Sequence, residues 1–591
     1  MIEPRKTLKD LSCYQTDEYL PQWRLKLDSN ENIYGTNQTI LNVLKNIDST
    51  DTSLYPCYGE LLDELSSRYK VPKDKFLLTN GCDEALNITL NTYLDTDSEL
   101  LAYNPTFSMP LLYAKIIGAK TKQIEYGEKF VFNKEEIKNN ITKNTKAVYI
   151  ATPNNPTGEL VRPSVLRGLI EEFKEVLFII DCTYINFAID VVLEDYIDLV
   201  QETDNVVVLK SFSKDFALAG LRLGFCVGDR SIINNLKKVA SPYNVNIAAV
   251  KCALCALRNE DKFEQIKELN ERNREFLSQS LEKLGFKPYS SQGNFVLCDF
   301  GSYCDFYYEK LKKNGVIVRK FSKNSPISTC LRLTVPTEGG VKYILELLKK
   351  KDLLIFDLDG VVFDVRDSYN TAIKETFKHF SGFETNDVEI AKVKNRGGMN
   401  CDWDATKCLL EEQGIYIELD KIITVFQSLF YEPCNKLKKI EDFLINKEKL
   451  LISKEVLAEL SKKYDFVIFS GRLKQEALYS LKKFDIDKYF YYYITADDLP
   501  KDLLKPDPQG VLEIIEHCPY KSIKYLGDSV DDIIAGNKAN IETIGVIAPG
   551  ADYNIMKNNF KHLGAKHILG NISELKDFLR EIETNDKTII Q

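Results

Sequence analysis

The sequence predicts an α/β protein that divides near residue 350 into two parts, and three features support this prediction. Short apolar runs such as AVYIAT, VLFIIDC and NVVVLKSF alternate with amphipathic helical stretches such as LLDELSSRYK. This alternation is typical of layered structures with a mostly parallel sheet. The 591 residues provide enough chain for about three to five compact units. A new apolar strand, DLLIFDLDG, begins directly after a helical pattern near residue 350.

The boundary is marked by a change of pattern. Gly339 and Gly340 precede VKYILELLKKK, which has helical spacing and a lysine-rich end. Cations are favourable at the C-terminus of a helix, so this segment should end there. We therefore assign residues 1–350 to a first domain and residues 351–591 to a second, with almost no linker between them.

Composition and charge exclude several classes of protein. Hydrophobic residues make up 44% and charged residues 28% of the chain, which excludes a disordered or fibrous protein. The net charge of −9 gives no basic field for nucleic acid or an anionic membrane. No stretch approaches the ~20 apolar residues of a membrane span, and the N-terminus lacks the apolar run of a signal peptide. We therefore expect a cytoplasmic protein whose 14 scattered cysteines are reduced thiols.

The distribution of histidine limits the chemistry of the first part. All four histidines lie at position 379 or later. Any catalysis in the first 378 residues therefore needs another group as its general base.

Three motifs in the first part carry chemically informative residues. VVVLKSFSKDFALAGLRLGF (206–225) reads as a buried strand followed by a loop with two serines and a lysine. Upstream lie PNNPTG (153–158) and FIIDCTY (178–184). Together with LDSNENIYG, LYPCYG, TNGCDEA, NPTFSMP, PYNVN and SQGNFVL, they resemble the pyridoxal phosphate (PLP) aminotransferases of fold type I. The resemblance covers about residues 5–350 and is closest to the histidinol-phosphate aminotransferase branch.

This resemblance implies a fold and a set of cofactor-binding residues. The fold would be a large α/β/α domain at about 45–245 and a small domain built from the termini. Lys214 matches the lysine that bonds to the cofactor and later moves a proton. Asp181 matches the carboxylate that keeps the pyridine nitrogen protonated. The other cofactor-binding residues implied are Tyr55, Gly81, Cys82, Asp83, Phe107, Asn155, Tyr184, Ser211, Ser213 and Arg222.

Several of these positions have a specific expected role. Gly81, Cys82 and Asp83 follow a strand and open a helix, so backbone N–H groups can face the cofactor phosphate. Relatives usually have serine or alanine at Cys82, but backbone donors do not depend on that side chain. Phe107 would stack on the ring where relatives often have tyrosine. Tyr55 matches a tyrosine that reaches the phosphate of the neighbouring subunit, which implies a homodimer with shared sites.

Two arginines are the candidate ligands for the substrate's anionic end. Arg332, in CLRLTVP, matches the superfamily position, and Arg319, in GVIVRKF, matches one specific to the histidinol-phosphate branch. Paired arginines bind phosphate through charge-assisted hydrogen bonds, although surface salt bridges remain an alternative. Asn30 and Tyr14 resemble residues that line the site. The expected substrate carries a phosphate, and glutamate would be the amino donor.

The second part contains four motifs in order. LLIFDLDGVVFD (353–364) is an apolar strand ending in DxDG, and FVIFSGR (466–472) is a second strand ending at a serine. Lys505 lies in KPDP, and YLGDSVDD spans 525–532. These motifs resemble the haloacid dehalogenase superfamily, and an aspartate two residues after the first favours its phosphatases. The implied fold is an α/β/α sandwich.

The resemblance implies a role for each polar residue. Asp357 would be the nucleophile that forms an aspartyl phosphate, and Asp359 would protonate the leaving alcohol and then activate water. Because clustered carboxylates repel each other and the phosphate, a hard cation is needed. The implied Mg²⁺ site uses Asp357, Asp528 and the Asp359 carbonyl, with Asp532 in support. Ser470 and Lys505 would hold the phosphoryl oxygens.

About 100 residues between the first and second motifs have a mostly helical pattern. They resemble the helical cap of phosphoglycolate-phosphatase-like enzymes, which we place at about 366–460. Such caps close over the site and select the substrate. NRGGMNCDWDATK (395–407) would line the cap or form an ordinary helix junction. The chain lacks the cysteine–histidine loop of the superfamily's known histidinol phosphatase, so this part alone does not indicate histidinol phosphate.

The fusion suggests two consecutive reactions. The first part would aminate a phosphorylated ketone, and the second would remove the phosphate from the product. Imidazole-acetol phosphate, converted through histidinol phosphate to histidinol, is the leading hypothesis. Dihydroxyacetone phosphate, converted through serinol phosphate to serinol, fits the same chemistry.

Other functions stay open at this point. The first part could decarboxylate a phosphorylated amino acid, and the second could clear pyridoxal phosphate or a damaged metabolite. A non-enzymatic binding protein is disfavoured, because a decayed enzyme would be expected to lose one of the four central residues: Asp181, Lys214, Asp357 and Asp359.

Overall fold

The structure is a computed structural model that describes residues 2–9, 11, 22–394, 401–432 and 439–590. The chain forms two compact units. The first contains the residues up to Gly301 together with Gly315–Leu348. The second contains Ser302–Asn314 and the residues from Lys349 onward.

Twelve strands and thirteen helices are described up to residue 348. The strands are β1 (Leu25–Leu27), β2 (Phe76–Thr79), β3 (Glu99–Asn104), β4 (Lys120–Glu125), β5 (Thr145–Ala151), β6 (Leu177–Asp181), β7 (Val206–Ser211), β8 (Gly224–Gly228), β9 (Lys287–Pro288), β10 (Phe295–Asp299), β11 (Val316–Lys320) and β12 (Cys330–Thr334). The helices are α1 (Gln38–Lys45), α2 (Ser49–Ser53), α3 (Gly59–Tyr69), α4 (Gly81–Tyr93), α5 (Met109–Ile117), α6 (Lys134–Asn140), α7 (Pro163–Glu172), α8 (Leu193–Glu202), α9 (Arg230–Val239), α10 (Ile247–Arg258), α11 (Asp261–Lys283), α12 (Cys304–Lys313) and α13 (Glu338–Leu348).

The main sheet of the first unit has the strand order β2-β8-β7-β6-β5-β3-β4, in which only β8 is antiparallel to its neighbours. Strand β6 is buried along its whole length. Its residues alternate between two apolar clusters, with Phe178 and Ile180 in one and Ile179 in the other. Both faces of the sheet are therefore covered, which explains the uninterrupted apolar sequence of its strands.

A second sheet of the first unit has the order β1-β11-β12-β10-β9. Strands β11 and β12 run antiparallel, and Arg319 lies directly opposite Arg332 in their register. Side chains of opposed residues share one face of a sheet. The pairing thus places two arginines side by side.

The second unit is built on a six-stranded parallel sheet with the order β17-β16-β13-β18-β19-β20. Its strands, including the separate pair β14 and β15, are β13 (Asp352–Phe356), β14 (Phe363–Asp364), β15 (Lys449–Leu450), β16 (Tyr464–Phe469), β17 (Phe490–Ile494), β18 (Ile523–Gly527), β19 (Glu542–Val546) and β20 (His567–Leu569). Its helices after α12 are α14 (Tyr369–Ser381), α15 (Asp387–Lys394), α16 (Asp402–Glu412), α17 (Leu419–Phe430), α18 (Lys454–Leu460), α19 (Lys474–Lys483), α20 (Gln509–His517), α21 (Val530–Lys538), α22 (Tyr553–His562) and α23 (Leu575–Ile590).

Helices α14 to α17 form a helical insertion between β14 and β15. They pack around their own apolar cluster, which includes Ile373, Leu410, Ile422 and Phe426. The predicted α/β class is confirmed. Within the described ranges, no helix combines the length and the apolar character that a membrane span requires.

The second unit contains a buried ion pair between α12 and β16. Lys310 Nζ lies 2.7 Å from Asp465 Oδ2, and the two side chains are 2% and 1% exposed. Burial raises the pKa of Asp465, and the charge of Lys310 opposes that rise. The ion pair therefore allows a carboxylate to remain charged inside the unit.

Replacing Lys310 with methionine should destabilise the second unit by about 3–5 kcal/mol, because Asp465 would be left as an uncompensated buried charge. Urea denaturation of the full chain, followed by circular dichroism, measures this change. The double variant Lys310→Met with Asp465→Leu should recover most of the loss. A single variant as stable as the parent chain would contradict this account.

Candidate active sites

Several predicted residues of the first unit meet at one edge of its main sheet. Asp181 ends β6, Asn155 follows β5, and Lys214 follows β7. These three strands are adjacent and parallel, so their carboxyl ends lie together. Ligands of open α/β sheets bind at this edge.

Asp181 is a buried carboxylate held by neutral donors. The Tyr149 hydroxyl donates to Asp181 Oδ2 at 2.9 Å, and the Thr183 hydroxyl donates to Oδ1 at 2.6 Å. Burial raises the pKa of Asp181. No salt bridge reaches this carboxylate from any residue that the structure describes. A protonated ring nitrogen would supply the missing positive charge, so Asp181 fits the role predicted for it.

Lys214 has the properties of a reactive amine. Its Nζ donates to the Ser29 carbonyl at 2.7 Å. Loss of hydration lowers the pKa of Lys214 to about 8, and the positive charge of Arg332 contributes to the shift. A substantial fraction of this amine is therefore neutral near pH 8, as covalent chemistry at a lysine requires.

The loop that carries Lys214 is anchored by residues that the sequence motifs did not identify. Lys210 Nζ lies 2.7 Å from Asp215 Oδ2, and both side chains are buried. The Asn186 amide also donates to Asp215 Oδ2, at 2.5 Å. These contacts fix the chain on both sides of Lys214. A lysine inside an apolar strand was the only sequence signal for them.

A candidate phosphate site lies at the start of α4. Gly81 has a φ of +77°, and a Cβ there would lie 2.7 Å from Arg222 Nη2. Arg222 donates to Asp83 Oδ2 at 3.1 Å, and the Asn80 side chain does not cap the helix. The glycine therefore lets the Arg222 guanidinium approach the first backbone N–H groups of α4, and such a set of donors can bind an anion.

Cys82 and Ser211 lie beside this cradle, because Gly224 pairs with Ser211 and a Cβ on Gly224 would lie 3.1 Å from the Cys82 backbone nitrogen. Cys82 is buried, and its sulfur lies 3.4 Å from the Thr183 hydroxyl oxygen. Ser211 Oγ accepts from the Ser213 backbone N–H at 3.1 Å. Phe107 packs against the apolar cluster that contains Ile179 and Leu209 of the main sheet.

The predicted substrate residues are brought together from distant parts of the chain. Arg332 donates to the Asn155 side chain and to the Asp28 carbonyl. The Asn30 amide donates to the Tyr184 hydroxyl at 3.1 Å. Arg319 lies opposite Arg332 in the register of the smaller sheet.

Two other residues predicted for the site, Tyr14 and Tyr55, are not placed with this group. Tyr14 lies outside the described residues. Tyr55 is 78% exposed and stacks on Tyr243, with ring centroids 4.4 Å apart. Its predicted contact with a neighbouring subunit stays a prediction.

The lowered pKa of Lys214 leads to a pH-dependence prediction. Only the neutral amine attacks an aldehyde, so covalent loading of cofactor-free protein with pyridoxal phosphate should accelerate as pH rises and level off above about 8. Stopped-flow absorbance measures the loading rate. Arg332→Gln removes a positive neighbour and should move the midpoint upward.

Nα-acetyl-lysine, mixed with pyridoxal phosphate under the same conditions, is the control. Its rate should continue to rise towards the ordinary lysine pKa of about 10.5. A protein profile that followed this reference compound would contradict the assigned environment of Lys214.

The second unit places its four motifs at the carboxyl edge of its parallel sheet. Lys505 Nζ lies 2.8 Å from Asp357 Oδ1 and 2.7 Å from Asp532 Oδ1. Asp532 also accepts from the Tyr525 hydroxyl at 2.6 Å and from the Ser529 hydroxyl at 2.7 Å. Lys505 is therefore held between the predicted nucleophile and a carboxylate predicted to support the metal site.

Three carboxylates form a candidate cation site. Oxygens of Asp357, Asp528 and Asp532 all lie within 4.8 Å of one another. Gly360 has a φ of +72°, and a Cβ there would collide with the Asp528 carboxylate. Burial raises the pKa of Asp357 to about 7, with Lys505 opposing the rise and Asp532 adding to it. An all-oxygen set with excess negative charge fits a hard divalent cation such as Mg²⁺.

Asp359 is bound by an arginine that the sequence motifs did not single out. Arg472 Nε donates to Asp359 Oδ1 at 2.8 Å, and its Nη2 lies 3.0 Å from Glu448 Oε1. Arg472 Nη1 donates to the Ser480 hydroxyl at 3.0 Å. The Arg472 side chain is fully buried, so its several partners hold the Asp359 carboxylate in one orientation. Ser470, also buried, accepts from the Arg472 backbone N–H at 3.3 Å.

A cavity of about 780 Å³ opens beside these residues. Asp357, Asp359 and Asp528 line one part of it. Helices α15 and α16 of the helical insertion contribute Lys394, Asp402 and other residues to its wall. Residues 395–400 of the predicted cap lining lie outside the described part of the chain.

The two parts of the chain match two different protein families. Residues 24–348 match the family described as "Aminotransferase class I and II". Residues 354–546 match the family described as "Haloacid dehalogenase-like hydrolase".

Individual proteins are similar to the chain as well. It is 30% identical over 331 residues to a histidinol-phosphate aminotransferase of Clostridium beijerinckii, covering 55% of this chain and 90% of that protein. It is 32% identical over 337 residues to the histidinol-phosphate aminotransferase of Methanocaldococcus jannaschii, covering 56% of this chain and 90% of that protein.

Two solved structures show the same fold. The crystal structure of the histidinol-phosphate aminotransferase from Clostridium acetobutylicum has a TM-score of 0.50 and 24% identity, covering 55% of this chain and 98% of that one. The structure of the Sinorhizobium meliloti protein, in complex with pyridoxal-5'-phosphate, has a TM-score of 0.51 and 17% identity, covering 55% and 91%.

Proposed function

The chain belongs to the class I and II aminotransferase family, and we propose that its two enzyme units act in turn on one phosphorylated compound. The first would convert a phosphorylated ketone to an amino-alcohol phosphate, with glutamate as donor. The second would hydrolyse the phosphate ester. One observation carries the proposal: a single chain matches an aminotransferase family and a haloacid dehalogenase-like hydrolase family, and its first unit places Arg319 opposite Arg332.

An imidazole-acetol phosphate-like ketone is the proposed substrate of the first unit. The similarity to histidinol-phosphate aminotransferases supports it. The opposed side chains of Arg319 and Arg332 support a phosphate-bearing substrate, because two guanidinium groups can bind one phosphate through several charge-assisted hydrogen bonds.

Different residues of the first unit would perform different steps of transamination. When bound, pyridoxal phosphate supplies an electron sink for the substrate carbon that carries nitrogen. Lys214 Nζ would take the proton from that carbon and return it, because a pKa of about 8 suits both directions near neutral pH. Asp181 would hold the proton on the ring nitrogen. The first N–H groups of α4, together with Arg222, would bind the cofactor phosphate.

Residues of the second unit support hydrolysis through an aspartyl phosphate. An Asp357 oxygen would bond to phosphorus while the bond from phosphorus to the ester oxygen breaks, and Asp359 would protonate that oxygen. Asp359 would then take a proton from water as water displaces the phosphate from Asp357. Arg472 fixes the orientation of Asp359, and Lys505 would hold a phosphoryl oxygen. A bound Mg²⁺ at Asp357, Asp528 and Asp532 would supply positive charge that offsets the negative charge of the phosphoryl oxygens.

We further propose a homodimer formed by the first unit. Leu54, Tyr55 and Tyr243 expose 66%, 78% and 55% of their surface, and such apolar exposure suits an interface. Sedimentation equilibrium of the cofactor-loaded chain tests it. A monomer at micromolar concentration would contradict the dimer.

A single-turnover reaction tests the substrate assignment. The pyridoxal form of the full chain is mixed separately with histidinol phosphate and with serinol phosphate, and absorbance follows its conversion to the pyridoxamine form. Fast conversion with histidinol phosphate alone would support the leading substrate. Fast conversion with serinol phosphate alone, or with neither compound, would contradict it.

A further inference from the structure

A cap-borne ion pair lines the cavity that contains the phosphatase aspartates. Lys394, the last residue of α15, has its Nζ 2.5 Å from Oδ1 of Asp402, the first residue of α16. Their side chains are 28% and 13% exposed. Both residues line the cavity of about 780 Å³ together with Asp357, Asp359 and Asp528.

The charges of the phosphatase carboxylates act on both members of this pair. Burial tends to lower the pKa of Lys394, but the charges of Asp402, Asp359 and Asp528 raise it overall. Burial raises the pKa of Asp402, with Lys394 opposing the rise and Asp359 contributing to it. Each member of the pair therefore interacts with the carboxylates that would act on the phosphate.

The pair matches the charge pattern of an amino-alcohol phosphate. Such a molecule carries a dianionic phosphate and, two carbons away, a protonated amine. A lysine beside an aspartate offers one positive and one negative charge in the same cavity wall. A carboxylate also has acceptor capacity beyond one ion pair, so Asp402 can bind Lys394 and an ammonium group at once.

We propose that Lys394 and Asp402 form the subsite that selects phosphate monoesters with a protonated amine next to the ester carbon. Asp402 accepts hydrogen bonds from the ammonium group, while Lys394 is attracted to the phosphate. This subsite rests on the proposed function for its substrate class. It adds the side chains through which the second unit would distinguish the product of the first from other small phosphate esters.

The expected preference for an amine-bearing ester can be estimated from two substrates that differ in one group. Serinol phosphate and glycerol 1-phosphate differ only in an ammonium group in place of a hydroxyl. A hydrogen bond between two charged groups in a partly buried site is stronger than a neutral one. We expect serinol phosphate to be preferred by about 10- to 100-fold in kcat/KM.

The test compares three phosphate esters on the full chain with Mg²⁺. Serinol phosphate and glycerol 1-phosphate report the amine preference, and p-nitrophenyl phosphate reports the phosphatase reaction itself. Asp402→Asn should reduce the preference to about one, and hydrolysis of p-nitrophenyl phosphate by the same variant shows that the phosphatase reaction persists. Glu384→Gln is the matched control, because this glutamate also pairs with a lysine of the insertion, is 83% exposed and does not line the cavity.

A second variant tests the role assigned to Lys394. Lys394→Gln should raise KM for serinol phosphate and glycerol 1-phosphate alike and keep the preference between them. Calorimetric binding of both esters to an Asp357→Asn chain gives the preference without turnover.

The outcomes distinguish this proposal from the proposed function. If the parent chain hydrolyses p-nitrophenyl phosphate but shows no amine preference, the subsite is overturned and the phosphatase stands. If it hydrolyses none of the esters yet binds serinol phosphate preferentially, the phosphatase function is overturned and the subsite stands. A preference that survives Asp402→Asn, or that Glu384→Gln abolishes equally, also overturns the subsite.

Discussion

A Lys214→Ala chain should lose transamination by about 10⁴-fold or more while its phosphatase reaction continues unchanged. General acid–base transfer by a positioned side chain contributes about 10²–10⁴-fold, and loss of covalent cofactor attachment adds to that. The measurement is the single-turnover conversion of the pyridoxal form to the pyridoxamine form. Hydrolysis of p-nitrophenyl phosphate by the same preparation shows that the second unit is intact.

A second readout identifies the reactive lysine directly. Borohydride reduction of the loaded parent chain should add the mass of the cofactor to the peptide that contains Lys214, and the variant should not carry it. Lys138→Ala, which removes a lysine paired with Glu172 at 2.6 Å, is the matched control and should behave like the parent. Attachment at another lysine with a rate within tenfold of the parent would refute the assignment.

The location of the candidate sites could be predicted because their residues follow apolar strands. Asp181, Lys214 and Asp357 each come at or shortly after the end of a buried parallel strand, where α/β sheets bind ligands. The strand pattern is visible in the sequence, and motif order then identified both enzyme families. The α/β class and the two enzyme types are confirmed, whereas the individual roles stay predictions.

The partners of these residues could not be predicted from local pattern. Arg472 contacts Asp359, Glu448 and Ser480, which approach it only when β13, the β15 region and α19 have packed together. Nothing in the sequence near Asp359 specifies such a partner. Lys210 differs in one respect, because a lysine inside a buried strand requires a counter-charge. The sequence therefore predicts that Lys210 has an acidic partner. It does not predict that this partner is Asp215.

The helix α12 shows a further limit. It lies between β10 and β11 in the sequence, yet it belongs to the second unit, where Lys310 pairs with Asp465. Periodicity predicts that a helix forms, but the unit it joins depends on contacts with residues about 150 positions away.

An Asp357→Asn chain should lose phosphatase activity by about 10⁵-fold, because removal of a nucleophile from a cooperating set costs nearly as much as removal of the whole set. The transamination half-reaction should remain at the parent rate. Release of inorganic phosphate from p-nitrophenyl phosphate and from histidinol phosphate gives the loss. Asp367→Asn, which alters an exposed aspartate paired with Lys449 at 2.7 Å, is the matched control.

The same substitution should not weaken folding in the absence of metal. Burial and the neighbouring carboxylates raise the pKa of Asp357 to about 7, so its charged form is costly near neutral pH. Asparagine removes that charge while Lys505 keeps its ion pair with Asp532 at 2.7 Å. Urea denaturation in chelator should therefore show unchanged or higher stability at pH 8. Loss of activity with intact folding would mark Asp357 as a group retained for chemistry at a cost in stability, whereas equal loss of both would mean that its role is structural.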